Sequence, residues 1–132
     1  MGKRYDFLNT VTGWGIFAIA AITYLSTIEP TTSFWDCGEY IATAYKLQVG
    51  HPPGAPMFQI LGAFFGLFSF GDVTKVAMMV NIMSALSSAF TILFLFWTIT
   101  AFGRRIAEKD EEGMNDGSIF AILGSGAVGA LA

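Results

Sequence analysis

The chain has 132 residues, of which 54% are hydrophobic and only 13% are charged. Soluble globular domains average about 25% charged residues, so the composition argues against an ordinary soluble domain. The formal net charge of −3 is spread along the chain without a basic stripe, and we therefore expect no nucleic-acid partner.

The first long apolar segment runs from Val11 to Ile28. As a helix it would extend roughly 27 Å, which just covers the hydrocarbon core of a bilayer. Lys3 and Arg4 before it would also suit a cleaved signal peptide, but the segment is long and lacks a small-x-small cleavage site. We therefore predict an uncleaved first transmembrane helix over residues 11–28.

A second uncharged segment, Val76 to Gly103, would extend roughly 42 Å as a helix, and it predicts a second crossing over residues 73–103. Between the two crossings, Met57 to Phe70 is apolar but too short to span. This length predicts a re-entrant or interfacial helix.

The basic residues fix the expected topology. With two crossings, Lys3 and Arg4 lie on the same side as Arg104 and Arg105, in agreement with the positive-inside rule. We predict that the N-terminus and residues 104–117 are cytoplasmic and that residues 29–72 are extracytoplasmic. Residues 118–132 turn apolar again and predict the start of a third transmembrane helix, so we expect the N-terminal part of a longer all-α integral membrane protein.

The predicted extracytoplasmic segment contains the polar residues that are candidates for a chemical role. Ser33, followed three residues later by Asp36, is typical of a capping box and predicts a helix from Phe34 to Val49 that stops before Gly50. On such a helix the Asp36 and Glu39 side chains share one side.

Each acidic side chain has two interpretations. Asp36 either stabilises the helix N-terminus or acts as a general base at the membrane surface. Glu39 is either a solvated helix residue or the partner of that base. A divalent metal held by the two carboxylates is not favoured, because such ions need more ligands, and we assign no metal site.

The remaining candidates flank these carboxylates. His51 either occupies a surface turn or contacts a proton or a phosphate group. The aromatic residues Trp35 and Tyr40 suit an interfacial belt. The single cysteine, Cys37, reads as a packing residue and leaves no internal disulfide.

Two stretches carry a resemblance to a known family: Ser-Phe-Trp-Asp-Cys-Gly-Glu-Tyr at residues 33–40, and Ala-Tyr-Lys-Leu-Gln-Val-Gly-His-Pro-Pro-Gly-Ala-Pro at residues 44–56. Here the sequence resembles the bacterial protein O-mannosyltransferase-like membrane proteins, formerly a domain of unknown function. These are similar to the GT-C class of glycosyltransferases, which take a sugar from a polyprenyl-phosphate carrier. The resemblance is close over residues 30–70 and weak elsewhere.

The resemblance implies a GT-C-like helical bundle in the bacterial inner membrane, with residues 29–72 in the periplasm. It implies Asp36 as the acidic residue that acts on the acceptor and Glu39 as its partner. Eukaryotic protein O-mannosyltransferases carry adjacent Asp and Glu in this loop, whereas Cys37 and Gly38 intervene here, so the identity of the base stays open.

The implied function is transfer of a mannose-like sugar from a polyprenyl-phosphate donor to an acceptor hydroxyl, including those of protein Ser and Thr. His51 and Lys46 would contact the substrate together with Trp35 and Tyr40. The negative charge of the lipid phosphate would be stabilised by the cationic side chains, Lys46 or His51. Expected partners are the bilayer, the lipid-linked donor and the remaining transmembrane helices. The fragment alone is not expected to be active. The alternative is a non-catalytic membrane subunit or assembly partner.

Overall fold

The computed structural model describes residues 2–109 and 115–132, and every regular element in those ranges is helical. The α-helices are α1 (Gly2–Ser26), α2 (Cys37–Lys46), α3 (Pro56–Gly66), α4 (Val76–Ala107) and α5 (Asp116–Leu131). Two 3-10 turns, Leu67–Ser69 and Val73–Lys75, connect α3 to α4. The predicted all-α fold is confirmed.

Two helical stretches in the described residues are long and apolar enough to cross a membrane: Gly2–Ser26 and Val73–Ala107, of 25 and 35 residues. The first begins well before the expected Val11 and ends two residues before Ile28. The apolar run marks the part of a helix that suits lipid, but backbone hydrogen bonding continues through the polar residues before it. The sequence therefore located the helix but not its N-terminus.

The short apolar segment behaves as its length predicts. Residues Pro56–Ser69 form a helix and a 3-10 turn that fall short of a membrane span. Pro56 stands in the first turn of α3, where its missing N–H costs no hydrogen bond. The position of α3 at a membrane interface stays a prediction.

The chain divides into two compact units, and the first comprises Met1–Thr23 and Ser88–Ala132. Its core includes the fully buried Phe96 and, from α5, Ile119. The buried hydroxyl of Tyr5 donates a hydrogen bond of 2.9 Å to the Thr100 carbonyl, which links α1 to α4. In α5, the side chain of Asn115 caps the helix by accepting from the backbone N–H of Ser118.

The second unit, Tyr24–Ser87, contains α2, α3 and the beginning of α4. Its buried core combines Ile41 of α2 with Val76, Val80 and Met83. The Asn81 side chain donates to the backbone carbonyls of Glu29 and Thr31, at 2.8 and 2.9 Å, and thereby holds the segment that leads into α2. This unit contains all the candidate site residues.

Candidate functional site

Helix α2 positions both candidate carboxylates, and it is shorter than the predicted 34–49 helix at both ends. It begins at Cys37 because Trp35 has a φ of +68°, which a helix cannot accommodate. It ends at Lys46 because Leu47 adopts the left-handed conformation, with its N–H bonded to the Ala44 carbonyl. The expected Phe34 start and Val49 end are therefore wrong.

The predicted capping box is also wrong. Asp36 itself occupies the N-cap position, and its side chain makes no capping hydrogen bond. Ser33 lies outside the helix, since the first helical residue is Cys37. The Asp36 carboxylate is thus not committed to helix capping, which removes the structural role that competed with a chemical one.

The Glu39 carboxylate binds His51 at two points. Its Oε1 accepts a hydrogen bond of 2.8 Å from the His51 backbone N–H. Its Oε2 lies 2.9 Å from Nδ1 of the His51 ring. A histidine held at both its backbone and its ring has a fixed ring orientation, and a carboxylate at Nδ1 favours a proton on that nitrogen. The other ring nitrogen, Nε2, is therefore left for a different partner.

That nitrogen faces Asp36. His51 Nε2 lies 3.9 Å from Asp36 Oδ2, which is close enough for electrostatic attraction but too long for a direct hydrogen bond. Both side chains are about half exposed, at 48% for His51 and 53% for Asp36. The two groups thus border a gap that a hydroxyl or a water molecule can bridge.

The electrostatics favour an ion pair between His51 and Glu39. The pKa of the Glu39 carboxyl lies below its ordinary 4.5, first because it accepts the backbone hydrogen bond of His51 and second because it accepts that of the ring. The pKa of His51 lies above its ordinary 6.5, because Glu39 accepts its ring hydrogen bond and attracts its charge, with a smaller contribution from Asp36. The imidazolium form is therefore stabilised near neutral pH.

Asp36, Glu39 and His51 form a polar cluster, and a second polar contact joins α3 to α2 next to it. The buried Gln59 of α3 donates to Thr43 Oγ1 at 3.3 Å, and Thr43 in turn donates to the Glu39 carbonyl at 2.8 Å. Gly50 packs against this group, since a Cβ there would lie 3.3 Å from both Glu39 Oε1 and Gln59 Nε2. The absence of a side chain at Gly50 lets the loop approach α2 closely enough for His51 to reach Glu39.

An apolar cavity lies beside the polar cluster. It has a volume of about 360 Å³, near the lower end of the range typical of small-molecule pockets. Its walls are formed by Cys37, Tyr40, Ile41, Ala55, Phe58, Val80, Asn81 and Ser84. The Tyr40 ring belongs to both regions, because its centroid lies 6.3 Å from the His51 ring and 5.5 Å from Phe58. Neither Asp36 nor Glu39 lines the cavity.

The other predicted contacts lie apart from this cluster. Lys46 is in the last turn of α2, roughly 15 Å along the helix axis from Asp36, and its Nζ lies 5.0 Å from the Tyr45 ring centroid. Trp35 directly precedes Asp36 but is 95% exposed. Of the predicted site residues, Asp36, Glu39, Tyr40 and His51 are brought together, and Lys46 is not.

The described residues contain no group of three or more His, Cys, Asp or Glu side chains suited to a metal ion. His51 uses Nδ1 for Glu39, so the cluster offers separate oxygens rather than a converging set of ligands. The arrangement instead suits proton transfer and hydrogen bonding to a substrate.

The sequence did not reveal the pairing of Glu39 with His51. These residues are twelve positions apart, and their contact depends on a left-handed Leu47 and a close approach at Gly50. The Gly-His-Pro-Pro stretch indicates a turn but not its direction. The sequence nevertheless held a signal for this pairing, because the only histidine of the chain lies in the Gly-His-Pro-Pro turn that follows the helix bearing Glu39.

Comparison with known proteins identifies the family. The family model for the protein O-mannosyl-transferase TMEM260 N-terminal domain matches residues 36–132, a range that begins at Asp36 and includes Glu39 and His51. The chain belongs to this family.

Two curated relatives carry the same name. Protein O-mannosyl-transferase tmem260 of Dictyostelium discoideum is 32% identical over 84 residues, which are 64% of this chain and 10% of the relative. Protein O-mannosyl-transferase TMEM260 of Mus musculus is 36% identical over 85 residues, which are 64% of this chain and 12% of the relative. The chain thus spans about a tenth of the length of these relatives. No solved structure matches the chain.

The family assignment agrees in part with the resemblance noted in the sequence. The O-mannosyltransferase-like family is confirmed. Both of these relatives are eukaryotic, however, so the similarity is not specific to bacterial members. The names of the relatives describe a transferase that acts on proteins, which is the coarse class expected from the sequence.

Proposed function

We propose that this chain is the N-terminal part of a GT-C-type membrane glycosyltransferase that moves mannose from a polyprenyl-phosphate donor to a Ser or Thr hydroxyl of a protein. The observation that carries the proposal is the match to the protein O-mannosyl-transferase family over a range that includes the whole Asp36, Glu39 and His51 cluster. The names of both curated relatives support the acceptor class.

In the proposed reaction, Asp36 is the general base. It takes the proton of the acceptor hydroxyl as the hydroxyl oxygen forms a bond to the anomeric carbon of the sugar. The bond between that carbon and the phosphate oxygen breaks, and the polyprenyl phosphate leaves with the electron pair. An exposed carboxylate that is not used for helix capping is available for this role.

A lipid-linked donor fits the surroundings of the cluster. Along the chain, the two helical stretches that could span a membrane come before and after α2 and α3, so a donor with its tail in the bilayer would present its sugar phosphate near a loop of this kind. The apolar cavity that shares Tyr40 with the cluster suits the first hydrocarbon units of such a donor. We place the protein in the bacterial cytoplasmic membrane, with a cytoplasmic N-terminus and residues 29–72 in the periplasm.

A second candidate function is that of a non-catalytic membrane subunit or assembly partner. The observation that favours it is that Asp36 and Glu39 are exposed and do not line the apolar cavity. In this case the cluster would only order the loop between α2 and α3.

Reconstitution of the full-length protein separates the two functions. The purified protein in lipid vesicles is given an acceptor peptide rich in Ser and Thr, together with either polyprenyl-phosphate mannose or a nucleotide-activated mannose. Mannose on the peptide with the lipid-linked donor only is the expected result. Transfer from the nucleotide-linked donor alone would contradict the proposed donor, and no transfer from either would favour the non-catalytic subunit.

A further inference from the structure

The arrangement of Asp36, Glu39 and His51 assigns different roles to the two carboxylates. Both oxygens of the Glu39 carboxylate bind His51, one at the backbone N–H and one at ring Nδ1. Asp36 makes neither contact and has its carboxylate 3.9 Å from Nε2. Both Glu39 oxygens are therefore already engaged with His51, whereas the Asp36 carboxylate is open to a substrate.

We infer that Glu39 is a positioning residue that holds His51, and that His51 Nε2 and Asp36 Oδ2 together form the binding site of the acceptor hydroxyl. This inference rests on the proposed function and names the group that orients the acceptor. The hydroxyl lies in the gap between the two atoms. It donates its proton to Asp36 and accepts a hydrogen bond from the Nε2–H of the imidazolium.

The dimensions of the gap fit one oxygen atom. Two atoms 3.9 Å apart can both lie within a hydrogen-bond distance of about 2.8 Å of a third atom placed between and beside them. The half-exposed side chains leave that position open to a substrate from outside. A bridging hydroxyl is thereby held with one lone pair occupied and the other directed to the sugar carbon, which is the orientation a nucleophile needs.

The proton balance of the step is simple. The acceptor proton moves to Asp36, the His51 proton stays on Nε2, and the leaving phosphate takes the electrons of the broken bond. The active form therefore has Asp36 ionised and His51 protonated. The charged groups that face His51 are Asp36 and Glu39, both at α2, while α3 carries no charged residue. Tyr40 contacts the ring edge-on.

Two substitutions at His51 distinguish its two nitrogens. His51→Gln places an amide N–H within reach of the Nε2 position, whereas His51→Asn places its polar group only within reach of Nδ1. In the full-length protein with polyprenyl-phosphate mannose and an acceptor peptide, we expect His51→Asn to lower kcat/KM for the acceptor about 10- to 100-fold. We expect His51→Gln to retain more activity and both variants to keep the KM for the donor.

Glu39→Gln tests the positioning role through the pH profile. The profile of kcat/KM should fall at high pH as His51 loses its proton. Glu39→Gln retains an oxygen for the backbone N–H but removes the charge that stabilises the imidazolium, so the falling limb should move to lower pH. Glu29→Gln is the matched control, because Glu29 is bonded to Thr31 and does not contact His51. Its profile should match the wild type.

The outcomes separate this inference from the proposed function. Equal losses in His51→Asn and His51→Gln, or a Glu39→Gln profile that is lower at every pH without a shift of its falling limb, would overturn the inference. If Asp36→Asn is inactive at the same time, the proposed function stands. Normal transfer by Asp36→Asn would overturn the role of Asp36 as the base and this inference together, while the transferase activity itself would stand.

Discussion

The Glu39 carboxylate holds His51 by its backbone N–H at 2.8 Å and by its ring Nδ1 at 2.9 Å. This double contact joins α2 to a loop that returns twelve residues later and directs Nε2 of His51 towards Asp36. The protonation of one side chain and the conformation of the loop are therefore coupled. The contact depends both on the charge of Glu39 and on the close packing of the loop at Gly50.

The contact between Glu39 and His51 should be strongest in a definite pH range. The contribution of His51 is full below its ordinary pKa of 6.5 and is lost as the pH rises through its raised pKa. The contribution of Glu39 is full above its ordinary pKa of 4.5 and is lost as the pH falls through its lowered pKa. Both contributions are thus complete between pH 4.5 and 6.5, with losses on either side.

Titration of the histidine ring by NMR checks this expectation. His51 is the only histidine of the 132-residue chain, so its ring signal in detergent micelles is unambiguous. We expect a titration midpoint above 6.5 in the wild type and a lower midpoint in Glu39→Gln. Glu29→Gln should keep the wild-type midpoint. A wild-type midpoint at or below 6.5 would show that the ion pair does not form in solution.

Substitution of Gly50 should weaken the same contact through packing alone. A Cβ in Gly50→Ala would lie 3.3 Å from Glu39 Oε1 and from Gln59 Nε2, so these side chains would have to shift by a few tenths of an ångström. We expect transfer by the full-length protein to fall roughly 3- to 10-fold, because small displacements of positioned groups are costly in catalysis. Transfer per folded molecule is the measurement.

Gly38→Ala is the matched control for Gly50→Ala. Gly38 lies between the two carboxylates in sequence, yet a Cβ there would meet no atom within 4 Å. Transfer should stay near the wild-type level, and the helix gains a better helix-forming residue. Equal losses in both variants would mean that the close approach at Gly50 is not what matters.

Packing of α2 on α3 depends on Gly62. A Cβ there would lie 2.8 Å from the Cβ of the fully buried Ala44, and neither atom belongs to a flexible side-chain end. We expect Gly62→Ala to destabilise the fold by about 1–3 kcal/mol, as overpacked cores do. Thermal unfolding in detergent would measure the change. Gly66→Ala, whose Cβ would make only an ordinary contact of 3.9 Å with Tyr45, should not be destabilised, and a loss there of the same size would refute the argument.

The predicted topology places residues 29–72 outside the cytoplasm. In a Cys37→Ser background, single cysteines at the exposed positions Gln48 and Lys109 can be labelled with a membrane-impermeant reagent. We expect Gln48→Cys to react in cells with an intact cytoplasmic membrane, and Lys109→Cys only after permeabilisation. The reverse pattern would invert the topology, and labelling of both from one side would rule it out.

The sequence predicted the helices where composition alone determines them. Long uncharged segments indicated α1 and α4, and the shorter segment before Phe70 correctly predicted a helix too short to span. Helix ends were less accurate, because they depend on single residues with positive φ. Trp35 and Leu47 both adopt this conformation, and neither residue type is typical of it.

The candidate site was predicted as a set of residues but not as an arrangement. Asp36, Glu39 and His51 were named from their chemistry and from the family resemblance. Helical spacing placed the two carboxylates on one side but could not show that one of them binds His51. That contact arises from loop closure at Gly50 and from the packing of Gln59 on Thr43, neither of which has a local sequence signal.

The central claim is that Asp36 is the base of the sugar transfer, and substitution by asparagine tests it most directly. Asp36→Asn keeps the size of the side chain but cannot accept the proton. Since the Asp36 side chain makes no capping hydrogen bond, folding should be unaffected. In the full-length protein, with polyprenyl-phosphate mannose and an acceptor peptide, we predict a 10²- to 10⁴-fold loss of transfer per folded molecule, the range that general bases contribute, while Glu29→Gln stays near the wild type. Near-normal transfer by Asp36→Asn would contradict the account.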